Sequence, residues 1–249
     1  LITNMGAAHP LGAGHAALDV ARELGLPRLR VAVVLGDDVL DWVQRHDAPL
    51  LDSADTVRSL DGRLISANAY LGADALLPAL AMKADLIITG RVADPSLFLA
   101  PLMQHFGWAA DDWALLGKGL AVGHLLECAA QVSGGYLADP GRVDVPDLHR
   151  VGFPLAEVQA DGGVVITKLP GTGGRVDRLS CTAQLLYEVE DPSAYLQADV
   201  TGDFAGVHFT ELGDDRVRVD GASGRARPER LKVSLGYSDG FIGEGQISY

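Results

Sequence analysis

The feature that most constrains this chain is a repeated alternation of a short apolar run, a polar or glycine-bearing loop, and a longer helical pattern. Short apolar runs bounded by turn residues read as buried strands, and longer stretches with apolar positions three and four apart read as helices. Leu1 to Asn4 reads as the last half of a buried strand, followed by a glycine-rich loop through Gly14 and a helix to about Leu24. A strand over Leu29 to Leu35 and a helix from Asp37, a good N-cap, to near Arg45 form the next unit. The third has a strand at Arg63 to Ala67, the loop Asn68 to Gly72, and a helix from Asp74 to about Lys83. In the fourth, Asp85 to Gly90 is a short strand, Arg91 to Ala93 a tight loop, and Asp94-Pro95 a helix start.

Ala121 to Val132 reads as a further helix, and Asp139 to Pro154 is the least regular piece. A strand at Val164 to Thr167 runs into the glycine loop Lys168 to Arg175 and a helix to about Glu188. After Asp191-Pro192 the period changes: Val207 to Glu211 and Arg216 to Val219 flank Gly213-Asp214-Asp215 as a hairpin, and Arg230 to Tyr237 reads as a third strand. The pattern predicts an α/β fold, a largely parallel doubly wound sheet with helices on both faces and a mainly β C-terminal portion. Residues 1–190 form the expected α/β ligand-binding domain, and residues 191–249 a β-rich portion packed on it. Leu1 and the strand expected to begin at Gln246 read as cut ends of a longer protein, with the α/β domain truncated at its N-terminus.

With 48% hydrophobic and 21% charged residues among 249, the chain has globular composition. No apolar stretch approaches the roughly 20 residues that span a bilayer. A formal net charge of −13 argues against nucleic acid as a partner and against an anionic membrane surface. Two cysteines, Cys128 and Cys181, make neither a disulfide framework nor a structural zinc site, so a cytoplasmic location is expected.

In an open parallel sheet, ligands bind where strand-to-helix loops diverge at the carboxyl edge. The loops here pool Asn4, Gly6, His9, Asn68, Tyr70, Gly90, Arg91, Asp94, Lys168, Gly171, Thr172, Gly173, Gly174 and Arg175. Lys168 to Arg175 is the candidate anion cradle, because glycines let successive N–H groups turn toward one anion and two cations bracket them. It matches neither the P-loop nor the dinucleotide pattern, and a tight turn with solvated basic residues is the alternative. Arg91, just after a strand-end glycine, can clamp a carboxylate or phosphate. Asp94 is either a helix cap or a proton-transfer group, and His9 either an acid–base residue or a turn residue. Asn68 and Tyr70 either orient a substrate carbonyl or tie down their own loop. His124, Glu127 and Cys128 share one helix, but no metal-ligand motif accompanies them, and the expected arrangement packs Leu125, Cys128 and Ala129 inward; no metal site is assigned. Trp108 and Trp113 read as core, a lid or an apolar pocket lining.

Ile2-Thr3-Asn4-Met5-Gly6 with His9-Pro10, Ser66 to Gly72, Ile88 to Ser96, Leu169 to Gly174, and Tyr237 to Phe241 with Gly243-Glu244-Gly245 resemble the acyclic terpene utilisation AtuA-like family. The resemblance implies a bacterial role in breaking down acyclic terpenes such as citronellol and geraniol, whose intermediates travel as coenzyme A thioesters. The expectation is an enzyme of the hydratase, lyase or hydrolase type acting on a branched acyl-CoA or carboxylate, with coenzyme A as part of the substrate. The alternatives are a non-catalytic binding or scaffold subunit of the same pathway and a nucleotide-dependent enzyme. The partners expected are a small-molecule substrate and either a second copy of the chain or a pathway protein.

Overall fold

The computed structural model of the protein describes residues 1–247, so the strand expected at Gln246 to Tyr249 lies partly outside the described residues. In chain order the first half runs β1 (Ile2–Thr3), α1 (Pro10–Glu23), β2 (Val31–Val34), α2 (Leu40–Arg45), β3 (Leu64–Ala69), α3 (Leu77–Ala81), β4 (Leu86–Thr89), α4 (Ser96–Phe106) and α5 (Trp113–Leu126). The second half runs β5 (Pro154–Val158), β6 (Val164–Lys168), α6 (Arg178–Leu186), β7 (Tyr195–Leu196), β8 (Thr201–Asp203), β9 (His208–Gly213), β10 (Arg216–Asp220), β11 (Ser223–Arg225) and β12 (Val233–Tyr237).

The fold is mixed α/β. A parallel sheet of order β1-β4-β2 has β4 at its centre, with Ile87 opposite both Ile2 and Ala32. The largely parallel, doubly wound sheet is corrected: the other nine strands pair antiparallel, in sheets β5-β6-β10-β9, β11-β8-β7 and β12-β3. The reason lies in β5 and β6. The order β6, loop, α6 looks like a βα unit, but β5 folds back on β6 through a turn at Gln159 to Gly163, which makes the pair an antiparallel hairpin. The expected hairpin after residue 200 forms as β9 and β10, and β10 continues onto β6. The third strand of the tail, β12, leaves that hairpin and pairs with β3 instead, Ser234 opposite Asn68.

Several helices depart from their sequence signals through glycine. α1 begins at Pro10, absorbing Gly12 and Gly14, because a side chain at Gly14 would strike Val33 and the bare backbone lets the helix sit on β2. α5 starts eight residues before the expected Ala121 and ends at Leu126. Gly117, Gly119 and Gly123 lower its helix propensity, yet each allows a close approach: Gly117 to the Ser223 backbone, Gly119 to Leu99, Gly123 to Pro95. Asp112 caps it by accepting from the Leu115 N–H at 3.1 Å. Contrary to expectation, Ala129 is exposed beyond the helix end while His124 is wholly buried.

The main core gathers Leu76, Ile87, Val92, Leu99, Leu116, Leu120 and Leu125 with Ile166, Val200 and Val217, so the sheets β5-β6-β10-β9 and β11-β8-β7 share one core with the parallel sheet, while β3 and β12 pack on a second cluster around Val43, Val57 and Ala67. Trp108 is core, its indole N–H donating to the Ala160 carbonyl at 2.9 Å. Among the described residues no helix is long and apolar enough to cross a membrane. A Gly117→Ala substitution places a methyl group on the β11 backbone; it is expected to lower the unfolding free energy by about 1–3 kcal/mol in urea titrations.

Candidate ligand site at the carboxyl edge of the parallel sheet

β1, β4 and β2 are parallel, so Asn4, Gly90 and the segment leading to Asp37 emerge on one edge. β3 brings Asn68 to the same place, where it bridges Asp38. Gly6 is buried against Thr89 and Ile88, and a Cβ there would meet the Thr89 carbonyl oxygen at 2.5 Å. The first loop is thereby pressed onto the end of β4.

Asp37 ties these loops together. Its place at the head of a helical pattern suggested an N-cap, but α2 begins at Leu40 and it is Asp38 that accepts the Leu40 N–H, at 3.1 Å. Asp37 turns inward, 4% exposed, and its Oδ2 accepts from the Asn68 side-chain amide at 2.9 Å and from the Arg91 backbone N–H at 2.8 Å. A side chain at Gly90 would collide with this carboxylate. The Asp37 carbonyl also accepts the Ala69 N–H at 2.7 Å. One buried acid thus ties the segment after β2 to the end of β3 and to the loop after β4. Hydrogen bonding by Asn68 is accordingly to Asp37.

Arg91 is held by its backbone and exposed at its side chain. The guanidinium carbon lies 5.1 Å from the centre of the Tyr70 ring, and the Lys232 ammonium lies 5.6 Å from the same centre. The Tyr70 hydroxyl accepts from Ser234 Oγ at 3.1 Å and its backbone N–H donates to the Lys232 carbonyl at 2.9 Å, so the ring is pinned at both ends. Neither cation has an acidic side chain within ion-pair distance among the described residues. Asp94 makes no side-chain cap to α4; its carboxylate accepts the Asn4 amide, joining the loops after β1 and β4. His9 is the exposed residue before α1, with its ring folded over Gly12 and no capping bond.

The loop from Lys168 to Arg175 is elsewhere in the fold, following a strand of the antiparallel sheet. Three of its N–H groups are held by other segments: Gly173 donates to Arg150, Gly174 to Pro146 and Arg175 to Ser133, at 2.7–2.9 Å. Lys168 is buried against Asp215 at 3.0 Å and donates to the Thr172 carbonyl at 2.9 Å, while the Arg175 guanidinium pairs with Asp177. Gly171 has φ +78° and open space beside it, and the Thr172 hydroxyl donates to the Leu169 carbonyl. The loop is a cross-link between segments with its charges already neutralised.

Neither cysteine is a poised nucleophile: burial pushes the Cys181 thiol up to about 12 and raises Cys128 as well. No group of three or more His, Cys, Asp or Glu is placed to hold a metal among the described residues. Sequence reading missed Asp37, disguised as a cap, and Lys232, which arrives from the distant β12 segment. The tandem acids Asp37-Asp38 at a strand end were the available signal.

The chain is thus a mixed α/β protein with a polar loop cluster on the edge of a small parallel sheet. The model of the acyclic terpene utilisation family protein AtuA matches residues 1–249, and the chain belongs to that family, with a role in acyclic terpene utilisation. No curated protein and no solved structure gives a significant match.

Removing the buried Asp37 carboxylate leaves two part-buried donors without their partner, so Asp37→Ala is expected to cost about 1–3 kcal/mol in denaturant titrations. Asp199, buried beneath Gly72, accepts from the Ala73 N–H at 2.7 Å and from Ser96 Oγ at 2.5 Å, and burial raises its carboxyl above the usual value of 3.8. Its folded pKa exceeds its unfolded one, so its stabilising contribution is full below 3.8 and is lost as pH rises through the raised value. The stability difference between wild type and Asp199→Asn is expected to shrink or reverse across that rise, read from melts at stepped pH.

Proposed function

We propose that the protein is an enzyme of branched acyl-CoA breakdown that holds the carboxylate or thioester end of its ligand at the carboxyl edge of the parallel sheet. One observation carries this reading: Arg91 and Lys232 present unpaired charge over a single pinned tyrosine ring, in a chain of net charge −13. Cations resting on an aromatic face gain about 0.5–1 kcal/mol at exposed sites and keep their outward N–H groups free. A guanidinium so placed can give paired hydrogen bonds to a carboxylate, phosphate or carbonyl oxygen.

Asp37 supports the reading through geometry. By taking the Arg91 N–H and crowding Gly90, it fixes the root of the arginine before any ligand arrives. Preorganised donors lose less on binding, and that is where their advantage over solvent lies. Asn4 and Asp94 form the neighbouring polar wall. Of the anion-binding positions expected from sequence, Asn4, Gly6, Asn68, Tyr70, Gly90 and Arg91 belong to this reading. Lys168, Thr172, Gly173, Gly174 and Arg175 do not, because their donors already have partners, and Gly171 lies with them on the loop after β6, away from this edge.

Arg91→Ala is expected to weaken binding of a branched acyl-CoA or its free acid by about 10–100-fold, as the loss of charge-assisted hydrogen bonds requires. Isothermal calorimetry at two salt concentrations checks this: wild-type affinity falls with salt, and unchanged affinity in the variant sinks the assignment.

A further inference from the structure

The connection between β11 and β12 carries a basic strip of which the edge site uses only the last residue. Residues 225–232 hold four cations, Arg225, Arg227, Arg230 and Lys232, against a single acid, Glu229, in a chain with 33 acidic and 20 basic residues. All four cations are exposed. Like charges gathered in so short a stretch repel one another, and together they raise a local positive field that draws anions.

The backbone of the strip is held at both ends. At its start the Ala226 carbonyl accepts from Thr201 Oγ1 at 3.0 Å, and the Arg225 guanidinium donates to the Ser193 carbonyl at 2.9 Å. At its end the Lys232 carbonyl accepts the Tyr70 N–H at 2.9 Å, and the Lys232 ammonium lies over the Tyr70 ring with Arg91. Between them Arg227 reaches Asp74 at 3.3 Å, so the strip runs back along the segment 70–74 toward Arg91. Arg230 has no acidic side chain within ion-pair distance among the described residues. At no more than about 3.6 Å per residue, Arg230 lies within about 7 Å of Lys232 along the backbone and Arg227 within about 18 Å. The Arg227–Asp74 pair is more than half exposed on both sides, a kind of pair that holds little energy in water, so a phosphate can take the arginine from Asp74.

We propose that Arg230, assisted by Arg227, is a phosphate subsite, and that the ligand whose acyl end meets Arg91 and Lys232 carries phosphate at its other end. The inference rests on the reading of Arg91 as the anchor and deepens it, because it selects a thioester on a phosphorylated carrier over the free branched acid. A guanidinium offers two parallel N–H donors that match phosphate oxygens. A free carboxylate satisfies Arg91 and leaves Arg230 unused, whereas a phosphorylated thioester engages both ends of the strip. Two contacts on one ligand reinforce each other, since the second forms at the high effective concentration set by the first. The net charge of −13, with Glu229 and Asp74 beside the strip, disfavours a long polyanion and leaves a small phosphorylated molecule.

Calorimetric titration with 3-methylbutanoyl-CoA, free coenzyme A and 3-methylbutanoate separates the subsite from the anchor. Wild type is expected to bind the thioester most tightly. Arg230→Ala is expected to weaken the thioester and coenzyme A by about 10-fold while leaving 3-methylbutanoate unchanged, as the loss of an exposed charge-assisted contact requires. Arg230→Lys keeps the charge and is expected to restore part of that affinity. The double variant Arg227→Ala/Arg230→Ala removes any cover of one arginine by the other and is expected to lose more. Arg91→Ala is expected to weaken the thioester and 3-methylbutanoate but not coenzyme A. Unchanged thioester and coenzyme A affinity in the double variant, or wild type that prefers 3-methylbutanoate to the thioester, overturns the phosphate subsite and leaves the anchor standing. Equal binding of 3-methylbutanoate by wild type and Arg91→Ala, with coenzyme A still dependent on Arg230, overturns the anchor and keeps the phosphate subsite. Absence of binding by all three probes overturns both.

Discussion

The carboxylate of Asp37 is the interaction on which the rest of the site depends. A carboxylate removed from water must have its lone pairs satisfied, and here the donors come from Asn68 at the end of β3 and the backbone after β4. The consequence is a shared origin for three loops that are far apart in sequence. Gly90 is needed because only hydrogen fits against the buried acid, and Arg91 follows it with a backbone that cannot wander. The position of the exposed guanidinium is therefore set from inside the protein.

Charge pairing then separates the two basic regions of the edge and the glycine loop. In a chain with 33 acidic and 20 basic residues, a cation commonly finds an acid nearby. Lys168 and Arg175 did so, with Asp215 and Asp177, and they brace the antiparallel sheet. Arg91 and Lys232 instead lie on Tyr70, a neighbour that attracts a cation while leaving its donors open. The antiparallel strand β12 is essential to that difference, since it delivers Lys232 and the hydroxyl of Ser234 to the ring. The tail is thus part of the edge site as well as of the core.

Local signals in the sequence identified the strands of the parallel sheet, because each is a short apolar run closed by a glycine or an asparagine. The same signals place Asn4, Asn68, Gly90 and Arg91 on one edge, and the structure brings these four together through Asp37 and the β1-β4-β2 order. Where the reading went astray, a distant partner decided. β6 looks parallel until β5 turns back on it, and the glycine loop looks open until Pro146, Arg150 and Ser133 take its N–H groups. Helix α5 was hidden by its glycines, which lower intrinsic propensity but let it lie directly on Pro95 and Ser223. Asp37 carried the capping signature of a helix start, and only its burial reveals the other use.

The central claim is that ligand binds at the edge organised by Asp37 and not at the glycine loop. Amide hydrogen exchange, measured with and without a saturating branched acyl-CoA, addresses it most directly. The account predicts added protection over residues 4–6, 68–71 and 90–94, with the segment 168–175 unchanged. Protection centred on 168–175, with the edge loops unaffected, would contradict it.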